Sequence, residues 1–519
     1  MLLSDLIRQS AECFPDKTAL IFPDDSISFG ALHRQSSQIA ARLRKLGIGP
    51  GARVAVLHEN TLAAVIFFWG ILRSGAQVVD VPCLASVGTI SGILAESGPA
   101  ALLASERQLQ RLSIANAESL PLIVFTGVMP KAQIRGRRHH SLAEIIRTEA
   151  TDVAPPVVDE RDIALVLYTS GTTGQPKGVM LSHRNLISNI LAVNSLMGLT
   201  SDDSILVVVP LYFIHGRMQL LTHALIGGTM AFSAGSHFPQ QIVDDLVRYG
   251  VTGFSGVPYH YSILLERTNL AVTSLPRLRY AVVMGGALPP HMLRKLSDAL
   301  PGVDIHIGYG QTEASPRITN LNPSEVHSKT GSCGVPVPGV RVEVVADDGS
   351  ALEPGVIGEI VVSGPNVMCG YVSGDERTSK TIDGFGRLHT GDLGKVDSQG
   401  YLYIVGRKSE LIKSAGERVF PREIEAVLDA HPAIAESAVF GLPDEILGER
   451  IVACVVFHPG ADVKAEDIRT HCLKSLPLVR VPREIHFSQG LPKTASGKID
   501  RSRLAPHFHA IGLAKMCTA

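Results

Sequence analysis

The apolar run Ile163-Ala164-Leu165-Val166-Leu167-Tyr168 leads straight into Thr169-Ser170-Gly171-Thr172-Thr173-Gly174-Gln175-Pro176-Lys177-Gly178. A run of this length bounded by turn residues reads as a buried strand. Gly171 and Gly174 admit backbone angles that side chains resist, so the main chain can curl and aim its N–H groups inward. Ser170, Thr172 and Thr173 can donate to phosphate oxygens, and Lys177 adds a compact positive charge on a long stem. The set suits a polyphosphate. It is not the G-x-x-x-x-G-K-[ST] loop, because Pro176 precedes Lys177 and Gly178 follows it.

Around this stretch, strand-like and helix-like segments alternate. Leu2 to Cys13 has helical spacing, Thr18 to Phe22 is a short strand, and a helix from Ser28 to about Leu46 is stopped by Gly47, Gly49, Pro50 and Gly51. Val54 to Leu57, the helix Thr61 to Ser74, and Val78 to Pro82 continue the pattern. Beyond residue 181 it repeats, with a helix Asn185 to Met197, a strand Ile205 to Pro210, a helix Met218 to Ile226, and strands near 229–232, 253–257, 280–284 and 304–309. Such alternation implies two mainly parallel sheets with helices on both faces, an α/β fold. From about 330 to 405 period-2 runs such as Val340-Arg341-Val342-Glu343-Val344, with turns at Asp347-Asp348-Gly349 and Ser398-Gln399-Gly400, predict antiparallel strands or a small barrel. After Gly406, a helix from Phe420, strands Ile434–Phe440 and Ile451–Phe457, a helix Lys464–Leu476 and a strand Glu484–Phe487 make a separable α+β unit.

The 519 residues exceed one compact core, and the formal net charge of −1 gives no footing for nucleic acid or a membrane surface. The cluster Arg135, Arg137, Arg138, His139 and His140 reads as a solvated loop. Seven cysteines stand singly, with no C-x-x-C, which favours a reducing compartment over a disulfide framework or zinc site. Neither a signal peptide nor a membrane-length apolar run is evident, so the expected location is cytoplasmic.

Five further segments carry chemistry. Gly308-Tyr309-Gly310-Gln311-Thr312-Glu313 follows a strand, where α/β proteins bind ligands; a tyrosine flanked by glycines can lie against a heterocycle, and Thr312 and Glu313 offer the hard oxygens Mg²⁺ prefers. Met284-Gly285-Gly286-Ala287 also ends a strand and permits close backbone approach. Gly370-Tyr371 and His389-Thr390-Gly391-Asp392 precede Gly406-Arg407-Lys408-Ser409-Glu410 and Gly416 at the junction with the last unit. Pro492-Lys493-Thr494-Ala495-Ser496-Gly497-Lys498 is a polar loop near the C-terminus.

In this order and spacing the segments resemble the adenylate-forming superfamily, which includes acyl-CoA synthetases, peptide-synthetase adenylation domains and luciferases. The resemblance implies a large N-terminal domain, residues 1–405, built of αβ subdomains 1–180 and 181–325 and a small β-barrel-like subdomain 326–405. It implies a small α+β C-terminal domain, 406–519, joined by a hinge at Glu410. Thr169 to Gly174 and Lys177 would hold the ATP phosphates, with Thr172 and Glu313 near Mg²⁺. Gly285, Gly286, Ala287, Gly308, Tyr309, Gly310 and Gln311 would border adenine, Asp392 the ribose, and Arg407 ribose or phosphate. Lys498, with Thr312 and Glu313, would be catalytic, and Gly416 would line a thiol tunnel. Ser409-Glu410 replaces the common Lys-Asp at the hinge, and Arg387 stands where a tryptophan is frequent.

The implied reaction joins a carboxylic acid to AMP, releases pyrophosphate and passes the acyl group to a thiol, of coenzyme A or of a carrier protein's phosphopantetheine arm. The acyl pocket would draw on Phe213, His215, Gly216, Arg217, Met284 and Ala314. Amino-acid-activating relatives carry an aspartate where this chain has Phe213, so an unpaired α-ammonium would be buried at a cost of several kcal/mol. A fatty or other aliphatic acid is expected. His215 and Arg217 are read either as solvent-facing or as recognising a polar substrate group. A non-catalytic nucleotide-binding protein and a luciferase-like oxygenase are the alternatives from other classes.

Overall fold

The computed structural model describes residues 1–116, 120–121, 123–128, 136–149, 156–169, 176–233, 238–458, 460–461, 463–493, 499–501 and 503–504. Two large sheets dominate it. In the nine-stranded sheet, Asp304–Tyr309, Tyr280–Val283, Gly253–Gly256, Ser204–Val207, Thr229–Phe232 and Thr18–Phe22 run parallel in that order. In the eight-stranded sheet, Ile163–Thr169, Gln77–Asp80, Arg53–Leu57, Ala101–Ala104, Ile123–Thr126 and Arg138–Ser141 do the same. Antiparallel strands complete the edges.

A shared helical layer separates the sheets. Its centre is the helix Leu62–Ser74, whose Phe67, Phe68, Trp69 and Ile71 are all buried, as the near-unbroken apolar run requires. Thr61 caps it and Gly75, at φ 86°, ends it. Leu20, Val207 and Tyr280 of one sheet and Val56, Val78 and Leu165 of the other belong to the same apolar core. Parallel strands buried on both faces read as continuous hydrophobic runs, which is why the alternation is visible in the sequence.

The structure departs from the sequence reading in three places. The strands Thr18–Phe22 and Asp25–Ser28 join the second sheet beside Thr229–Phe232, a pairing across some two hundred positions that local pattern does not encode. Part of the basic segment is not a loop, since Arg138–Ser141 is an edge strand paired with Ile123–Thr126, while Arg135 lies outside the described residues. The helix expected from Met218 begins at Ile214. Gly216 argues against an earlier start, yet only glycine fits there, because a Cβ would stand 2.4 Å from the Pro210 carbonyl oxygen. The antiparallel strands expected after residue 330 form, as an open four-stranded sheet between 341 and 407 among the described residues.

The last unit packs the helices Pro421–Asp429 and Ala465–Leu473 against strands Ile434–Asp444, Gly448–Phe457 and Glu484–Phe487. It has a core of its own, with Ile424, Leu428, Val439, Ala453 and Ile468 almost fully buried. The mixed α/β architecture is that of a large N-terminal domain followed by a small C-terminal one. No helix among the described residues is long and apolar enough to cross a membrane.

Candidate active site

The strands Tyr280–Val283 and Asp304–Tyr309 lie side by side in register, so Met284-Gly285-Gly286 and Tyr309-Gly310-Gln311 leave the sheet together at its carboxyl edge. Gly310 has no alternative, since a Cβ there would fall 1.4 Å from the Pro316 carbonyl oxygen. The chain then makes a short turn, Thr312–Ala314, and Ser315 takes φ 63°, a left-handed angle that a non-glycine residue adopts only when its surroundings enforce it. Here they do. Ser315 Oγ donates to the Asn366 carbonyl at 2.7 Å, Asn366 Nδ2 donates to the Ala314 carbonyl at 2.9 Å, and the Met368 N–H donates to the Glu313 carbonyl at 2.9 Å.

Tyr309 is bound to the small sheet rather than standing free. Its hydroxyl donates to Asp392 Oδ2 at 2.6 Å, and Arg407 on the facing strand forms an ion pair with Asp392, its Nε 2.7 Å from Oδ1. Asp392 is 4% exposed. Burial and the adjacent Asp392 charge push the Tyr309 phenol well above its ordinary range, so it remains a donor at any physiological pH. A carboxylate offers about four lone-pair directions, so Asp392 can serve several partners at once.

Glu313 is tied in the same way. Tyr371 donates to Glu313 Oε1 at 3.0 Å, and the Lys177 ammonium lies 5.6 Å from the centre of the Tyr371 ring. Thr169 and Lys177 are opposed on adjacent antiparallel strands, with Gly370-Tyr371 paired to the outer one. Thus Thr169, Lys177, Tyr371, Glu313, Tyr309, Asp392 and Arg407 come from three separate sheets and meet in one region. Ser170, Gly171, Thr172, Thr173, Gly174 and Lys498 lie outside the described residues. Among those described, no group of three or more His, Cys, Asp or Glu is placed to hold a metal by itself. Glu313 still fits a hard cation, because its second oxygen carries no hydrogen bond among the described residues.

The residues expected around the acyl group divide. Phe213 precedes the 214–226 helix and packs on Tyr212, with ring centres 4.6 Å apart. His215 shares a 2.7 Å hydrogen bond through Nε2 with Ser255, and both border a cavity that Met284 also lines. Gly216 fills the close approach to Pro210, and Ala314 is fully buried beneath the Glu313 turn. Arg217 is neither solvent-facing nor a lining residue. It is 2% exposed, stacks 3.9 Å from Phe68, and grips Asp80 through two bonds of 2.6 and 3.0 Å. Asp80 satisfies it, so the candidate substrate contact is a bridge between helix and sheet.

At the junction, Lys408 pairs with Glu359 at 3.1 Å and Asp347 at 3.3 Å, while Arg418 reaches Asp347 at 3.1 Å, joining the last unit to the small sheet. Glu410 is 3.3 Å from Arg501. Ala415 and Gly416, at φ 52° and 81°, form the tight turn between Ile412–Ser414 and Glu417–Val419. On the far side, Lys493 pairs with Glu436 at 2.9 Å and sits 4.4 Å over the Tyr259 ring. Lys493 also bridges to Ile499, so both neighbours of the segment containing Lys498 are fixed. Two participants escape the sequence reading, since Asn366 carries no signal and Arg317 is only a charge between Pro316 and Ile318. Tyr371 is named there within Gly370-Tyr371, but not its bond to Glu313.

Residues 7–372 match the family model of the AMP-binding enzyme, and 423–498 match that of the AMP-binding enzyme C-terminal domain. The chain is 34% identical to an oxalate–CoA ligase of Arabidopsis thaliana, over 98% of each chain, and 30% identical to a long-chain-fatty-acid–CoA ligase of Bacillus subtilis, over 97% of this chain and 94% of that one. An anthranilate CoA ligase in complex with anthranoyl-AMP superposes with a TM-score of 0.90 at 28% identity, covering 99% of this chain and 98% of the other. The o-succinylbenzoate CoA synthetase of Bacillus subtilis, in complex with ATP and magnesium, gives 0.82 at 28% identity, covering 96% and 98%. The protein therefore belongs to the AMP-binding enzyme family, among the acid–thiol ligases of the adenylate-forming superfamily.

Proposed function

We propose that this enzyme uses ATP to convert a carboxylic acid into an acyl-adenylate, releasing pyrophosphate, and then transfers the acyl group to the thiol of coenzyme A. The observation that carries this reading is the buried Tyr309–Asp392 pair with the half-exposed Arg407 against it, beside Glu313 and Tyr371, at the carboxyl edge of the sheet. Asp392 accepts from both ribose hydroxyls, Tyr309 lies against adenine, and Arg407 orients the carboxylate. Glu313 and Thr312, with Thr172, would hold Mg²⁺, which would supply screening of the phosphate charges. Lys177 and the segment 169–174 hold the departing pyrophosphate. An anionic carboxylate approaching a triphosphate is repelled, so the chain's contribution is positioning and charge neutralisation, with Lys498 bridging the carboxylate and α-phosphate oxygens.

The acyl chain is aliphatic. Met218, Val282 and Met284 border the cavity beyond the reaction centre, and no carboxylate among the described residues lines it to receive an α-ammonium. Coenzyme A rather than a carrier protein is the acceptor, in keeping with the CoA ligases among the relatives. Residues 1–405 and 406–519 act as two bodies, and rotation about Glu410 exchanges the Lys498 face for the Gly416 face between the half-reactions. Lys493 over Tyr259 is in keeping with the first of these arrangements. Replacing Lys498 with alanine is expected to cut acid-dependent ATP–pyrophosphate exchange by about 10²–10³-fold while ATP still binds. Exchange at the wild-type rate would refute the role.

A further inference from the structure

The helix Ile214–Ile226 turns His215, Gln219 and Thr222 to one side, and the strand Tyr280–Val283 with its extension turns Tyr280, Val282 and Met284 towards them. Between helix and strand lies a cavity of about 40 Å³, enough for about three waters. It begins at Met284 and Pro316, beside the reaction centre, and continues inward past Val282 to Tyr280.

Its wall is largely apolar; the pairs His215–Ser255 and His223–Tyr280 satisfy each other, but other polar groups on it have nothing to bond among the described residues. Both side-chain heteroatoms of Gln219, the Thr222 hydroxyl and Arg317 Nε are buried with no partner among the described residues. Arg317 is 4% exposed. Nη1 donates to Asn320 Oδ1 at 2.7 Å, but no carboxylate among the described residues pairs with the guanidinium. Burial alone lowers its pKa to about 10. Its backbone is held on both sides, since its N–H donates to Asn189 Oδ1 at 3.2 Å and its carbonyl accepts from Asn189 Nδ2 at 2.7 Å. The contrast with Arg217 is instructive. That equally buried arginine has its carboxylate in Asp80, whereas Arg317 has the cavity in that place. A buried charge without a counterion is strongly unfavourable, and such groups are retained where an ion completes them.

We infer that the cavity receives a second anionic group of the acid substrate, a carboxylate or sulfonate, which pairs with Arg317 and bonds to Gln219 and Thr222 while the first carboxylate is activated. This rests on the adenylation reading and narrows its substrate to short acids carrying a second anion. The acid is short because Arg317 packs against Gly308, its Cδ 3.0 Å from where a Cβ would be, and Gly308 directly precedes Tyr309 of the nucleotide site.

The test measures acid-dependent pyrophosphate release for malonate, succinate, glutarate and sulfoacetate, each against the monoacid of equal length. Wild-type enzyme is expected to favour the doubly anionic acid in kcat/KM by on the order of 10²-fold, the usual consequence of completing a buried charge pair. Arg317→Met is expected to abolish that preference mainly through KM, with no fall in melting temperature, because an unpaired charge has been removed. Arg317→Lys should retain part of it, and Gln219→Leu, which leaves the guanidinium in place, should weaken it. Equal or better use of monoacids by the wild type, or an undiminished preference in Arg317→Met, would overturn the inference while leaving adenylation standing. Failure of every acid in this panel would overturn the inference, and failure of medium- and long-chain monoacids as well to release pyrophosphate would overturn both.

Discussion

Replacing Asp392 with asparagine tests the nucleotide site at its most buried point. The amide has the shape of the carboxylate but only one acceptor oxygen. In the native site, Oδ1 is ion-paired with Arg407 Nε at 2.7 Å and Oδ2 accepts from the Tyr309 hydroxyl at 2.6 Å. Arg407 Nε–H cannot become an acceptor, so the asparagine oxygen must face it. The amide nitrogen then faces Tyr309, whose hydroxyl can rotate to accept. The fold therefore survives with one hydrogen bond reversed and a half-exposed ion pair weakened, a loss of about 1 kcal/mol. ATP is affected more. The carboxylate can take both ribose hydroxyls as charge-assisted bonds worth about 1.5–3 kcal/mol each, and the amide keeps one at most, in neutral form. A loss of about 2–3 kcal/mol corresponds to a roughly 30- to 150-fold rise in KM for ATP, with a smaller change in kcat. Pyrophosphate exchange at saturating acid and varied ATP reads both constants. An unchanged KM for ATP in a protein with native melting behaviour would refute the assignment of Asp392 to ribose.

Other perturbations have equally definite outcomes. Asp80→Ala leaves Arg217 buried and unpaired, which is expected to cost about 3–5 kcal/mol in chemical unfolding, whereas the double change Asp80→Leu with Arg217→Met should recover most of that loss. In the C-terminal unit, burial pushes the Asp429 carboxyl up from 3.8 to about 7, with Glu425 and Glu436 adding to the effect against a hydrogen bond from Ser437. Between those values the folded form holds a proton that the unfolded chain has lost. Stability of this unit should therefore fall as pH rises through the window, by up to about 4 kcal/mol, and level off above it. Asp429→Asn should flatten the profile in pH-resolved hydrogen exchange. Glu410→Pro, which restricts the backbone at the junction, should spare the adenylation half-reaction and slow thioester formation in single-turnover measurements; equal loss of both steps would count against a hinge there.

Most of the architecture is legible in the sequence because parallel strands buried on both faces announce themselves as β-branched apolar runs, and because the nucleotide-site motifs sit at strand ends punctuated by glycine. A run such as Ile163–Thr169 needs no tertiary knowledge to be read as a strand. The pairing of Thr18–Phe22 with Thr229–Phe232 does need it, and local pattern misses it. Tyr309, Asp392 and Arg407 can each be named from their segments, but not the hydrogen bonds by which the small sheet holds the large one. The acyl region is the least readable part. Local sequence marks both His215 and Arg217 as anomalies on one helix turn, yet only the fold shows that Arg217 belongs to Asp80, 137 residues earlier. It equally hides Arg317, whose significance lies in the carboxylate that is missing from its described surroundings.

The central claim is that a carboxylate oxygen attacks the α-phosphorus of ATP. Incubating the enzyme with ATP, Mg²⁺, coenzyme A and an acid labelled with ¹⁸O in its carboxylate, then weighing the nucleotide product by mass spectrometry, tests it most directly. One labelled oxygen is expected in AMP for each thioester formed, and none in pyrophosphate. Label appearing in inorganic phosphate, or thioester forming without labelled AMP, would contradict it.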